Sequence, residues 1–448
     1  MNHLRNQSGF SLPLILGLAM MLSAIGIAIA TVALGNLRFS THEQRSERAL
    51  QISEAGINYY LWHLAHNATD YKDGETTPTN PPFGPYTHDY KDANGKKLGT
   101  FTLYITPPPT GSTVTTVKSI GKVDGLNGTR TIEAKLGMPS FATYGLLTGT
   151  EVWFGPGENT SGPVHSNVGV HMDGQNNGPV TSSQATYRPN PNFGGDGSTK
   201  NGVWGNGGPT SQWQYPVPTV DFSKVTSDLQ SMITSAQNGG VYLPATNRQG
   251  YLLRLKSNGT IDIYTVRNET SSGLQTTFVR NQAAPANGCL YASDNVWVDG
   301  DGFTGRLTIG SGRLPDVPAT NTTITITNNL RYAAKDGSVA LGLIAQKDVA
   351  VARYAPSNLE INAALLAQKG HVWYPNSGPI KSNLSFYGSI SSYDYWTWSW
   401  VNGSGNITSG YGTNTTTYDT NLTYSPPPCY PLTNTFSILN WREVLYQP

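Results

Sequence analysis

Charge is what this chain has least of for its size. Asp, Glu, Lys and Arg make up 13 % of 448 residues, and the formal net charge is +1. No basic stripe for nucleic acid or for an anionic lipid surface is therefore expected. Cysteine is nearly absent. The only two, Cys289 and Cys429, allow at most one disulfide, which an oxidising compartment would permit. The catalytic fingerprints are missing as well: there is no nucleophile elbow, P-loop or dinucleotide-binding glycine motif. Lys and Glu are few, while Gly, Asn, Thr, Ser and Tyr are plentiful. That composition suits exposed β-structure with many turns, and it is common in secreted and cell-surface proteins.

Against this background one stretch stands out. Phe10 to Gly35 carries no charged residue, and a charged amphipathic segment follows from Arg38. A spanning helix needs about 20 apolar residues, whereas a signal-peptide core has about 7–15. The run therefore predicts a transmembrane helix over 10–35 that continues unbroken to about residue 66. Leu50, Ile57, Leu61 and Leu64 recur near one helical face, which is expected to pack on a globular part. Counting only Arg5 before the span and Arg38, Arg45 and Arg48 after it would put the C-terminal side in the cytoplasm.

The residues around the start of the run point the other way. Gly9-Phe10-Ser11-Leu12, behind a short polar leader, resembles the N-terminus of type IV prepilins. The stretch Glu54-Ala55-Gly56-Ile57, followed by Leu61-Trp62, resembles that of PilX-like pilins. The resemblance implies that a prepilin peptidase cuts between Gly9 and Phe10 and methylates the new amine. The bulk of the chain would then lie outside the cytoplasm. The family usually has Glu as its fifth mature residue, and Leu14 stands there instead. That departure resembles PilX-like minor pilins and the K-type minor pseudopilin, subunits that sit at a tip or prime assembly. Pro13 is tolerated in a first helical turn.

Beyond the helix (10–66, after a leader at 1–9), five segments are expected. Residues 67–139 read as a small antiparallel sheet, the pilin-like head. Its strands lie at Leu98 to Ile105, Thr113 to Val123 and Thr129 to Leu136, after a turn-rich loop from Pro78 to Pro85. Residues 140–216 and 289–400 consist of short apolar runs between Gly/Asn turns. Ile324, Leu343, Ile361 and Leu384 recur at roughly 20 residues, within the range of β-solenoid coils. These two blocks are expected to form a right-handed parallel β-helix. Residues 217–288 read as an inserted α+β lobe, with a helix from Asp221 and a hairpin of Tyr251 to Leu255 with Thr260 to Val266. Residues 401–448 form a Pro/Asn/Thr-rich C-terminal segment. SGPVHSN and GLIAQKDVAV, with the terminal YDTNLTYSPPPCYP, resemble large PilX-like surface proteins whose passenger is a β-helix. The fold class is thus mainly β with a long N-terminal α-helix.

Few residues suggest chemistry. His165 and His171 are too few for a structural zinc site, and Asp294, Asp299 and Asp301 lack EF-hand spacing. No metal or cofactor is expected. Tyr393, Tyr395, Trp396, Trp398 and Trp400 crowd one stretch and are candidate contacts for a ligand, since aromatic rings stack on sugars and on proteins. The chain therefore reads as a non-enzymatic minor pilin that displays a β-helical passenger, in pilus assembly or adhesion. Its expected partners are the prepilin peptidase, other pilin or pseudopilin subunits, the lipid bilayer, and a surface glycan or host-cell ligand. Its expected location is the cytoplasmic membrane as a single-pass protein, then the cell surface or a pilus. Two other classes compete. One is a membrane-anchored adhesin outside any filament. The other is a surface-anchored carbohydrate-active enzyme, which four or more acidic and basic side chains converging in one groove would favour.

Overall fold

The computed structural model describes residues 11–108, 114–125, 128–433 and 436–445, so Gly9 and Phe10 lie outside the described residues. The chain divides into two compact units. One comprises residues up to 107 together with 115–136 and those from 440 onward; the other is essentially 137–439.

The first unit is built on α1 (Ser11–His66). Its early part is long and apolar enough to cross a membrane, with a mean hydropathy of 2.4 and none of that window buried. Four antiparallel strands pack on its later part: β1 (Phe83–Lys91), β2 (Lys97–Thr106), β3 (Thr115–Val123) and β4 (Thr129–Gly137). A final strand, Ser437–Val444, adds to the β4 edge. β2 and β3 alternate, so Phe101, Leu103, Ile105 and Val117 are buried, and Ile132 of β4 is buried with them. The loop expected over Pro78 to Pro85 gives way to β1 at Phe83, where Tyr86 turns inward while its neighbours face water.

The buried stripe of α1 is Ala49, Ile52, Ser53, Gly56, Ile57, Tyr60, His63 and Leu64. Ile57 and Leu64 are on it as expected, but Leu50 and Leu61 sit half-buried on its flank. The stripe is shifted because the closest approach uses small residues. A Cβ on Gly121 of β3 would collide with the Ala49 carbonyl and the Ser53 amide, and one on Gly56 would strike Ser119 and Phe101. Hydrophobicity alone does not mark such positions.

The second unit is mainly β, and its sheet is mixed. One long row of strands is parallel throughout. In register it stacks Val241, Leu290, Ile309, Leu343, Leu365, Ile390, Leu146, Val164, Val180 and Trp213, one above the next. A second parallel row stacks Tyr251, Val296, Ile324, Val349, Val372 and Trp396. Nearly all of these side chains lie in one continuous core. Antiparallel pairs interrupt the pattern at 250–283 and at 399–410.

Two expectations change here. Ile324, Leu343, Ile361 and Leu384 do not form one ladder, since their register partners are Val349, Leu365, Phe386 and Leu359 respectively. The vertical steps are 22 residues from Leu343 to Leu365 and 25 from Leu365 to Ile390. The apparent 20-residue period came from reading across rows. Nor is 217–288 a separate lobe. Val241–Leu243 and Gly250–Leu255 are themselves rungs at the start of the two rows.

The chain order of the long row explains this. The chain enters the row at Leu146, runs to Trp213 at one end, and resumes at Val241 at the other end. The later strands then build back until Ile390 pairs with Leu146. The return is made by α2 (Val225–Gln237), whose Val225, Leu229, Met232 and Ala236 form an apolar stripe. They pack on Leu147, Tyr291, Ile344 and Leu366, the outward side chains of the same row. Thirteen helical residues span roughly 20 Å, about four strand spacings. Thus α2 covers an apolar strip that water would otherwise meet. Residues 401–448, expected as one tail, hold a further rung at Ile407–Tyr418 and then the terminal strand.

Candidate functional site

The two cysteines lie far apart in the chain, 140 residues, and are joined by a disulfide with Cα atoms 6.1 Å apart. Cys289 begins the strand Cys289–Ala292, and Cys429 sits on the segment that follows the strand Ile407–Tyr418. That segment is fastened further by Arg306, whose guanidinium donates to the Ser425 and Pro426 carbonyls at 2.8 and 2.7 Å. Tyr430 is buried beside it.

The crowded aromatics do not form one exposed strip. Trp398 is 2 % exposed and packs against Phe386 at 5.9 Å, as a core residue. Trp396 is partly buried against the same core. Tyr395 stacks on His371 at 4.1 Å, Trp400 donates to the Tyr374 carbonyl at 2.7 Å, and Tyr393 alone is well exposed. A second aromatic stack went unnoticed in the sequence. Trp153, His171 and Trp204 are aligned on three successive rungs. The His171 ring lies between the indoles, 5.4 and 3.6 Å away. Its Nε2 meets Asp173 at 2.9 Å and its Nδ1 meets the Phe193 carbonyl at 2.9 Å. His165 is elsewhere, bonded to Thr181 and Asn167, so the two histidines do not converge. Burial holds its imidazole below the ordinary range, against the opposing bond to Asn167. It lines a cavity of about 600 Å³ with Phe141, Tyr144 and Val220.

The three aspartates weighed for a cation are each engaged singly. Asp294 is fully buried and is bound by Arg313 at 2.7 Å and by Thr246. Asp299 accepts two bonds from Arg254, at 2.9 and 3.3 Å, and one from Thr327. Asp301 pairs with Arg331 at 3.2 Å. Among the described residues no group of three or more His, Cys, Asp or Glu is placed to hold a metal ion.

Asp299 nevertheless lies at the centre of a polar face. Arg254 and Asp299 are cross-rung neighbours. Beside them Lys256 holds Asp262 at 3.0 Å, while Arg331 and Lys335 both hold Glu360 at 3.0 Å. The bonds from Asn281 and Lys256 keep the Asp262 carboxyl below its usual range. For Glu360, burial works upward, but the bonds from Lys335, Asn362 and Arg331 outweigh it and the net shift is down. Two adjoining hollows of about 370 and 330 Å³ share Arg254, Asp299 and Asn328. One wall is the hairpin of Thr260–Thr270 with Gly273–Ala283. Glu269 fastens it by accepting from Trp297 Nε1 and from the Tyr354 hydroxyl, each at 3.1 Å. Sequence reading found Asp299 but not Arg254, 45 residues away, and it gave the hairpin no third strand.

No family model matches the chain, and a comparison with curated proteins finds no match. Among solved structures the chain is similar to the crystal structure of the competence-associated pilin ComZ from Thermus thermophilus. The likeness covers 90 % of this chain and 98 % of that one, at 14 % identity and a TM-score of 0.31.

Proposed function

We propose that this chain is a membrane-inserted, pilin-like structural protein that presents a parallel β-helix at the cell surface, in pilus assembly or adhesion. One observation carries the reading. A single helix leaves its first half apolar and uncovered while its second half packs on a five-stranded sheet. A bilayer, or the equivalent helices of neighbouring subunits, is the environment such a half-helix requires. The Gly9-Phe10 junction, with Leu14 in place of the usual Glu, supports a minor pilin or pseudopilin of the PilX-like or K-type kind, cut by the prepilin peptidase and methylated on Phe10. The Cys289–Cys429 disulfide supports an oxidising, extracytoplasmic location for the second unit. The parallel rows support a β-helix as its architecture.

Mass spectrometry of the N-terminal peptide tests the reading, on protein from membranes and from sheared surface material. A chain beginning at methylated Phe10 in the sheared fraction is the expected result. An intact Met1 found only in membranes would leave a simple anchor and remove the pilin reading.

A second reading has an observation in its favour. Arg254, Lys256, Asp299 and Asp301 line one hollow, the convergence expected of a carbohydrate-active enzyme. The proposal remains non-enzymatic because these charges are neutralised in pairs. Asp299 is bound by Arg254, Lys256 by Asp262 and Asp301 by Arg331, so each charge in the hollow already has a partner.

A further inference from the structure

We propose that the trough between the hairpin of residues 260–283 and the outer face of the rungs binds a neutral oligosaccharide. The inference deepens the adhesive part of the reading above and rests on it. Its two hollows, about 370 and 330 Å³, are each in the size range of small-ligand sites. They share Arg254, Asp299 and Asn328 and together make a trough open to solvent.

The floor specifies the chemistry. Asp299 is largely buried and locked to Arg254, so both present fixed donors and acceptors instead of mobile chains. Asn328 lies beside them in both hollows. Along the first hollow Lys256 and Arg254 balance Asp299 and Asp301, and in the second Arg254 balances Asp299. A trough with no net charge does not select a polyanion or a polycation. Its polar floor disfavours an apolar ligand. Tyr354 and Pro356 also line the second hollow. The Tyr354 hydroxyl is already committed to Glu269, so what it offers the trough is its ring. An aromatic side chain beside rigid hydrogen-bonding groups matches a sugar, which has an apolar face and an edge of hydroxyls. An extended peptide fits less well. Beneath the trough the rung backbones are already paired with one another, so no free strand edge is available on the floor to align one.

Full-length protein in lipid nanodiscs is tested on an array of cello-, chito-, manno- and xylo-oligosaccharides. Polygalacturonate oligomers and a set of extended peptides complete the array. Retention of at least one neutral class is expected, with both other sets passed over. Asn328→Ala and Tyr354→Ala should each weaken that retention about tenfold, the effect of one good contact, whereas Tyr354→Phe should retain it. Asn328 is exposed, so its substitution leaves the fold intact even if Tyr354→Ala does not. Failure of every neutral sugar to bind overturns the proposal, as does preference for polygalacturonate or peptide. Retention that neither alanine substitution changes would also overturn it. The N-terminal peptide measured on the same preparation reports separately on the pilin reading.

Discussion

The two halves of α1 share one helical geometry and meet opposite surroundings. From Leu12 to Phe39 the large apolar side chains are mostly more than half exposed, and nothing in the described chain covers them. From Ala49 to Leu64 the same helix buries a full stripe against β2 and β3. The first half is as apolar as any core, yet it contributes nothing to the fold of the first unit. The second half is more polar and holds that unit together. Hydrophobicity therefore states how much a segment must be removed from water, while the partner that removes it is decided elsewhere.

Matched substitutions sharpen the contrast. Tyr60 is fully buried and donates to the Asp70 carbonyl at 3.0 Å. Tyr60→Ala should cost the first unit about 3–5 kcal/mol, read as a lower midpoint in denaturant. Leu22→Ala, in the uncovered half, should leave that midpoint unchanged. If Leu22→Ala destabilised the unit equally, the two halves would not be independent. Reducing Cys289–Cys429 should come next. It should remove about 2–4 kcal/mol from the second unit and leave the helix and its sheet untouched, visible as one of two melting transitions shifting alone. Gly121→Ala against Gly26→Ala is a finer pair. A Cβ at Gly121 strikes backbone of α1, whereas one at Gly26 meets nothing within 4 Å. The first should cost about 1–3 kcal/mol, and the second should raise helicity slightly, since Ala is the better helix former.

The smallest effect concerns pH. His165 has a folded-state pKa held down by burial, so the unfolded chain takes up its proton first. Its stabilising contribution is complete above the unfolded value, about 6.5, and is lost as pH falls from there toward the folded value. The second unit should melt lower at pH 5.5 than at pH 7.5. His165→Gln should flatten part of that slope, and an unchanged slope would assign the effect to other groups.

Different parts of this molecule were legible to different degrees. The apolar run and the helix beyond it were plain, because a long uncharged stretch has few alternatives. Apolar periodicity places Ile57 and Leu64 on the buried stripe of α1 but misses Ser53 and Gly56, which lie there because they allow close approach rather than because they are hydrophobic. Helix α2 was seen from Asp221 onward, but its role as a return strap was not, since that depends on which rungs lie at the two ends of the row. The rung ladder was obscured because an inward Leu looks alike on every row. The trough was half visible. Asp299 was noticed as an acidic residue in a turn-rich stretch, while its value lies in Arg254 and in a hairpin that only pairing can place against it. The crowded Tyr and Trp residues misled in the opposite direction, since Trp398 is core and Trp153, in another segment, belongs to a stack.

The meeting of Ile390 with Leu146 also sets an order in time. The rungs at Leu146, Val164 and Val180 leave the ribosome early, yet the strand that pairs with Leu146 on its other side follows 244 residues later. At about 5–20 residues per second, that is a wait of roughly 10–50 s. Throughout it the early rungs present an unpaired edge, the kind of surface that recruits other strands. A chain synthesised N-terminus first must keep that edge solitary until its own late strand arrives. A transcript cut short before Ile380 would therefore yield a product that never closes, with its aggregation-prone edge permanently on offer.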